Sequence, residues 1–273
     1  MKGPIGIFDS GYGGLTVLKE IQSILPDRDY LYFGDNARAP YGTRSFDVVY
    51  QYTLQAVQKL FDMGCPLVIL ACNTASAKAL RTIQQKDLPN MNDPTKRVLG
   101  VIRPSTEVIG DYTSSGHVGV LGTNGTVKSN SYPVEIEKFF PEVKVSQLAC
   151  PMWVPLVENN EHNSKPGRAL VKAKVEELVS LDADIDTIVL GCTHYPILKE
   201  IIEEFVSPET KVLSQGEIVA KSLKEYLDRH PEMNTRISVE GSTTYYTTEN
   251  PLDFEGKASI FLGSDIKAQR MEL

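Results

Sequence analysis

The chain has 273 residues, 41% hydrophobic and 23% charged, which is enough for one large or two modest domains with cores of their own. Its net charge of −7 and the lack of any dense Lys/Arg run exclude a nucleic-acid surface, which needs clustered cations to meet phosphates. No run approaches the roughly 20 apolar residues of a membrane span, and the start, Met1-Lys2-Gly3-Pro4-Ile5-Gly6, lacks a signal peptide's apolar segment, so the expectation is a cytoplasmic protein without membrane contact.

Residues 5–8 form a short apolar run, and Asp9-Ser10-Gly11-Tyr12-Gly13-Gly14 supplies turn chemistry before a helical pattern at Leu15, Leu18, Ile21 and Leu25. Residues 30–33 read as a second strand and 34–43 as an irregular loop. Ser45 is placed to cap a long helix with Phe46, Val49, Tyr50, Thr53, Leu54, Val57, Leu60 and Phe61 on its apolar face. Residues 67–71 predict a strand without polar alternation, as when helices cover both faces of a parallel sheet, and it ends on Cys72. A helix over 74–85 and a polar surface loop over 86–96 follow.

Strands over 98–102 and 118–121 open a second series, with Gly122-Thr123-Asn124-Gly125-Thr126 as another strand-to-helix loop. A strand over 143–148, a polar loop over 159–166 and a helix over 168–181, with Leu170, Ala173, Leu178 and Leu181 inward, lead to a strand over 187–190 just before Cys192. The tail adds a short strand at 211–213, a helix over 217–228, an aromatic and β-branched strand over 243–248, and a last helix opened by Pro251. The two series are alike. They predict an α/β fold of two similar parallel-sheet domains related by a pseudo-twofold axis, residues 1–97 with 210–273 in the first and 98–209 in the second, with the site in the cleft between them.

Four cysteines without Cys-x-x-Cys or a zinc-like Cys/His spacing read as thiols of a reducing compartment. Cys65 and Cys150, each beside a proline, read as packing residues. Cys72 and Cys192 each follow a buried run and precede hydroxyl or amide side chains. They fall at the C-terminal strand ends where ligands of parallel sheets bind, as do Asp9, Ser10, Thr123 and Thr126. A thiol with a pKa of about 8.5 is only slightly ionised at neutral pH and needs activation. Two such thiols on two similar halves suit the removal of a proton from one face of a stereocentre and its return to the other, with Asp9, Glu158 and His194 available to help. A dithiol redox pair and an amino-acid-binding module without chemistry are alternative readings. His117, His162 and His230 are expected in solvent and Trp153 in packing. A dinucleotide loop is set aside because Thr16 stands where its third glycine is needed.

Five blocks in register resemble the glutamate racemase family, within the wider aspartate/glutamate racemase group. They are Phe8-Asp9-Ser10-Gly11-Tyr12-Gly13-Gly14, Asp35-Asn36-Ala37-Arg38-Ala39-Pro40-Tyr41-Gly42, Ala71-Cys72-Asn73-Thr74-Ala75-Ser76, Ala149-Cys150-Pro151 with Pro155-Leu156-Val157-Glu158, and Gly191-Cys192-Thr193-His194-Tyr195-Pro196. The resemblance implies a cofactor-independent isomerase that interconverts L- and D-glutamate and supplies the D-isomer for peptidoglycan, hence for cell-wall biogenesis and cell shape. It implies no metal, a homodimer, and regulation by a cell-wall precursor. Carried over by position, Cys72 and Cys192 are the proton donors and acceptors, Asp9 helps Cys72, and Glu158 and His194 help Cys192. Asp9, Ser10, Tyr41, Gly42, Asn73, Thr74, Thr126, Thr193 and His194 then surround the substrate. Aspartate racemases usually carry Glu after Cys-Thr, so His194 favours glutamate. Asn36 stands where the family more often has Thr, a departure expected to leave the chemistry alone.

Overall fold

The computed structural model describes residues 2–273. Its strands, in chain order, are β1 Ile5–Asp9, β2 Tyr30–Gly34, β3 Leu67–Leu70, β4 Arg97–Gly100, β5 His117–Gly122, β6 Lys144–Ala149, β7 Thr187–Gly191, β8 Lys211–Leu213, β9 Thr243–Thr247 and β10 Ala268–Arg270. They form two all-parallel sheets, ordered β10-β9-β2-β1-β3-β4 and β6-β5-β7-β8. The order β2-β1-β3-β4 is repeated element for element as β6-β5-β7-β8, which is the pseudo-twofold relation; β9 and β10 extend the first sheet at its β2 edge.

The central strands β1, β3 and β7 are buried along their whole length, as their unbroken apolar runs require. Alternate side chains still face opposite ways. Ile5, Ile7, Leu67 and Ile69 join a core that continues into the second unit, whereas Phe8, Val68 and Leu70 join one on the far face of the first sheet. The continuous core also takes in the helices Gly14–Ile24, Lys165–Leu181, Gln215–Arg229 and Pro251–Leu262. The two units therefore share apolar packing.

Several expectations need correction. β4 pairs with β3 and β8 with β7, so Arg97–Gly100 lies at an edge of the first sheet and Lys211–Leu213 at an edge of the second, rather than the strand over 98–102 opening the second series as expected. A short apolar run announces a strand but not which sheet edge it joins, because that partner is chosen by long-range packing. The expected strand over 98–102 stops at Gly100, and Ile102–Glu107 is helical. The expected loop over 86–96 begins in helical turns, Ile83–Asp87 and Leu88–Asn90. In helix Lys165–Leu181 the inward residues are Val171, Val175 and Leu178, while Leu170 and Leu181 are exposed. His162 is buried rather than solvated, and burial pushes its pKa down. Among the described residues no helix is long and apolar enough to cross a membrane.

Candidate active site

Sheet register brings the two thiols to equivalent places. Phe8 lies opposite Leu70 on adjacent strands β1 and β3, so Asp9 and the Ala71-Cys72 step leave the first sheet side by side. Gly122 lies opposite Gly191 on β5 and β7, so Thr123 and Cys192 leave the second sheet in the same relation. Both strand ends open on one cleft of about 800 Å³ between the units. Its lining includes Ser10, Tyr41, Gly42, Cys72, Asn73 and Thr74 from the first unit and Thr123, Glu158, Cys192, Thr193 and His194 from the second.

Cys72 is 5% exposed and caps the helix Asn73–Lys78, its Sγ accepting from the Ala75 N–H at 3.4 Å. The Ser10 hydroxyl lies 3.4 Å from the same sulfur. Burial, then the negative charge of Asp9, pushes this thiol up to about 11, against the opposing pull of those hydrogen bonds. Cys192 is also 5% exposed, with His194 Nδ1 at 4.0 Å from its Sγ. Burial raises its pKa well above the ordinary thiol value, and negative charge on Cys72 or Asp9 raises it further. The sulfurs thus oppose each other's ionisation, which favours one thiolate and one thiol over two thiolates.

His194 Nε2 lies 2.8 Å from Glu158 Oε1 at the end of helix Trp153–Glu158. A ring edge of Phe261 meets the imidazole at 5.2 Å and 83°. On the other side the backbone of Gly13 is so close that a Cβ there would fall 2.4 Å from Nδ1. The ring is therefore held on three sides. Asp9 is fully buried; its Oδ2 accepts from the Gly11 N–H at 2.9 Å and its Oδ1 lies 3.4 Å from the Thr193 hydroxyl. Burial raises its pKa, against the influence of His194 and the Gly11 and Gly14 N–H groups.

The remaining expected contacts sort by depth. Ser10, Asn73, Thr74 and Thr193 reach the cleft, as does the Tyr41-Gly42 segment, although the Tyr41 hydroxyl is taken up by Asp35. Asp9 and Thr126, expected against the substrate, do not line it. Thr126 is wholly buried behind Thr123, whose hydroxyl lies 3.1 Å from that of Thr126 and 2.9 Å from that of Thr74. Thr123 takes the outer place because it is the N-cap of helix Asn124–Ser129, and Thr126 turns back onto that cap. Asn36 and Tyr12 line the cleft as well, together with Asp253 and Lys257 of the last helix. Tyr12 and Asn36 fall within the family-like blocks, whereas Asp253 and Lys257 carry no signal in the sequence, because the last helix reaches the site only through tertiary packing. Trp153 packs edge-on against Tyr195 in the core, as expected.

Two thiols at equivalent strand ends, one from each half of a pseudosymmetric α/β protein and facing one small cleft, define an isomerase of the racemase type. A sequence profile described as Asp/Glu/Hydantoin racemase matches residues 5–223, and the chain belongs to this family. It is similar to a glutamate racemase of Geobacter metallireducens, at 41% identity over 96% of this chain and 93% of that protein. The fold is similar to a glutamate racemase isoform from Bacillus anthracis, with a TM-score of 0.89, 33% identity and coverage of 99% of this chain and 98% of that one. It is likewise similar to the glutamate racemase of Francisella tularensis in complex with D-glutamate, with a TM-score of 0.85, 32% identity and coverage of 100% and 97%.

Proposed function

We propose that this protein interconverts L- and D-glutamate by two-base proton transfer at Cα, supplying D-glutamate for peptidoglycan. The observation that carries the reading is the pair Cys72 and Cys192 at equivalent strand ends on one cleft. One thiolate removes the Cα proton; the electron pair of the broken C–H bond passes into the α-carboxylate system, and the opposite thiol delivers its own proton to the other face. The first sulfur is then a thiol and the second a thiolate, so the reverse reaction starts from the product state. The glutamate ammonium offsets the burial that raises both thiol pKa values. Asp9 serves Cys72 by raising its pKa, which makes the thiolate a stronger base once formed, and His194 with Glu158 serves Cys192.

Ser10, Asn73, Thr74, Thr123 and Thr193 offer hydroxyl and amide donors to the substrate carboxylates, with the Tyr41-Gly42 backbone on the facing wall. In this reading the two halves of the machine are residues 1–100 with 214–273, and 101–213. Pairing as a homodimer and regulation by a cell-wall precursor complete the proposal; sedimentation, and racemisation rates with and without a nucleotide-linked muramyl peptide, test them. The central test is racemisation in D₂O followed by circular dichroism and mass spectrometry. The product enantiomer should gain one deuterium at Cα, and Cys72→Ser or Cys192→Ser should nearly abolish turnover in a folded protein. Wild-type turnover by the double variant would sink the two-thiol assignment.

A further inference from the structure

Asn73 follows Cys72 directly and lines the cleft. Its Oδ1 lies 2.9 Å from the Tyr132 hydroxyl, while its Nδ2 is buried with no partner in the protein. Tyr132 is fully buried and comes from the second unit, in the helix Ser131–Phe139. The same ring closes on the residue before the other thiol. A Cβ on Gly191 would fall 3.1 Å from Tyr132 Cε2 and 3.3 Å from its hydroxyl oxygen, so only glycine fits there undisturbed.

An amide side chain can turn over, and its two orientations present opposite chemistry. With Oδ1 toward Tyr132, the phenol donates its one hydrogen to an oxygen and the amide N–H, unpartnered in the protein, is turned away from the phenol on a residue that lines the cleft. Turned over, the amide aims a carbonyl oxygen at an anionic substrate and leaves the phenol hydrogen without that acceptor. A buried, unpaired N–H at the wall of a cleft is a donor waiting for an acceptor, and a carboxylate is the strongest acceptor such a site receives.

We propose that Tyr132 is a positioning residue: by donating to Asn73 Oδ1, its hydroxyl holds the amide with the N–H facing the cleft, where it binds a carboxylate of the substrate. This rests on the placement of glutamate between Cys72 and Cys192. The bond also ties the segment after Cys72 to the element packed against Gly191, so each thiol's approach shares one buried ring.

Tyr132→Phe keeps the ring and removes only the hydroxyl. It should lower kcat/KM for both enantiomers about tenfold, mainly through KM, as expected when a donor to a charged group loses its orientation. Asn73→Ala should lose at least as much, and the double variant should be within twofold of Asn73→Ala, because the phenol acts only through the amide. Thermal melting separates this from loss of fold. If Tyr132→Phe does not fold, Asn73→Asp replaces it: the acceptor for Tyr132 remains, the N–H is gone, and KM should rise at least tenfold. Tyr132→Phe within twofold of wild type, multiplying effects in the double variant, or wild-type KM in Asn73→Ala or Asn73→Asp would overturn the positioning role. The thiol variants judge the two-thiol reading separately.

Discussion

His194 stands between Glu158 and Cys192, with Nε2 at 2.8 Å from Glu158 Oε1 and Nδ1 at 4.0 Å from Cys192 Sγ. An ionised carboxylate only accepts, so it fixes the ring proton on Nε2 and leaves the Nδ1 lone pair facing the thiol. Glu158→Gln removes that bias. Turnover should fall about 10- to 100-fold, less than the roughly 10²- to 10⁴-fold of a group that itself transfers the proton, because Glu158 acts through His194. Because the equilibrium constant of a racemisation is one, kcat/KM must fall equally for both enantiomers. The sided effect appears instead in the primary isotope effect with Cα-deuterated substrate, which should rise where Cys192 takes the proton. Isotope effects equal to wild type in both directions would break the link between Glu158 and Cys192.

The buried thiols set an alkaline limit on stability. Cys65 and Cys150 are pushed up to about 12 and Cys72 to about 11, in each case chiefly by burial. Their folded values exceed the unfolded value of 9.0, so the unfolded chain loses these protons first. The stabilisation is complete below pH 9 and is lost as pH rises toward the folded values. Each thiol removes about 1.4 kcal/mol per pH unit within that window. Thermal midpoints measured from pH 8 to 10.5 should fall above pH 9. The fall should be shallower in Cys65→Ala with Cys150→Ala, whatever those variants cost at neutral pH; an unchanged slope would refute the assignment.

Asn36 was expected to be inert, yet it lines the cleft with a buried, unpartnered Nδ2, its Oδ1 accepting from the Thr247 hydroxyl at 2.9 Å. Asn36→Ala should raise KM about three- to tenfold with kcat within twofold, the loss of one hydrogen bond made equally in ground and transition states. Asn36→Thr keeps a donor and should change KM less. Steady-state kinetics at varied glutamate checks both.

Cys72 and Cys192 were legible because a buried strand ending on a reactive residue is a local pattern, and the repeat doubled the signal. Asn36 was not, because its orientation depends on Thr247 in β9, a partner far away in sequence. Thr126 and Thr123 exchanged places for the same kind of reason: their order of depth is set by a helix cap and by contact with Thr74, not by spacing. The sheet membership of β4 and β8 was equally hidden, since an edge strand carries its own pattern but not its neighbour's identity.

Gly13 is where the first unit presses on the second. A Cβ there would lie 2.3 Å from Thr193 Oγ1 and 2.4 Å from His194 Nδ1, so the segment after Cys192 must move to admit it. The same segment is tied to the helix that Gly13 precedes, through the Thr16 hydroxyl at 3.0 Å from the Thr193 carbonyl oxygen. Gly13 has φ −58 and ψ −34, an ordinary helical conformation, so alanine brings no backbone strain of its own. Gly13→Ala should therefore act through this clash alone. Displacing Thr193 and His194 by a few tenths of an ångström to one ångström should cost about 100-fold in kcat/KM, while the overpacking lowers stability by only about 1–3 kcal/mol and leaves the protein folded. Thr16→Val, which loosens the tie without intruding, should cost less, and Thr16→Ser should retain it. Near wild-type activity in Gly13→Ala would mean that the segment after Cys192 tolerates displacement, and that the fit between the two units at this point does not set the rate.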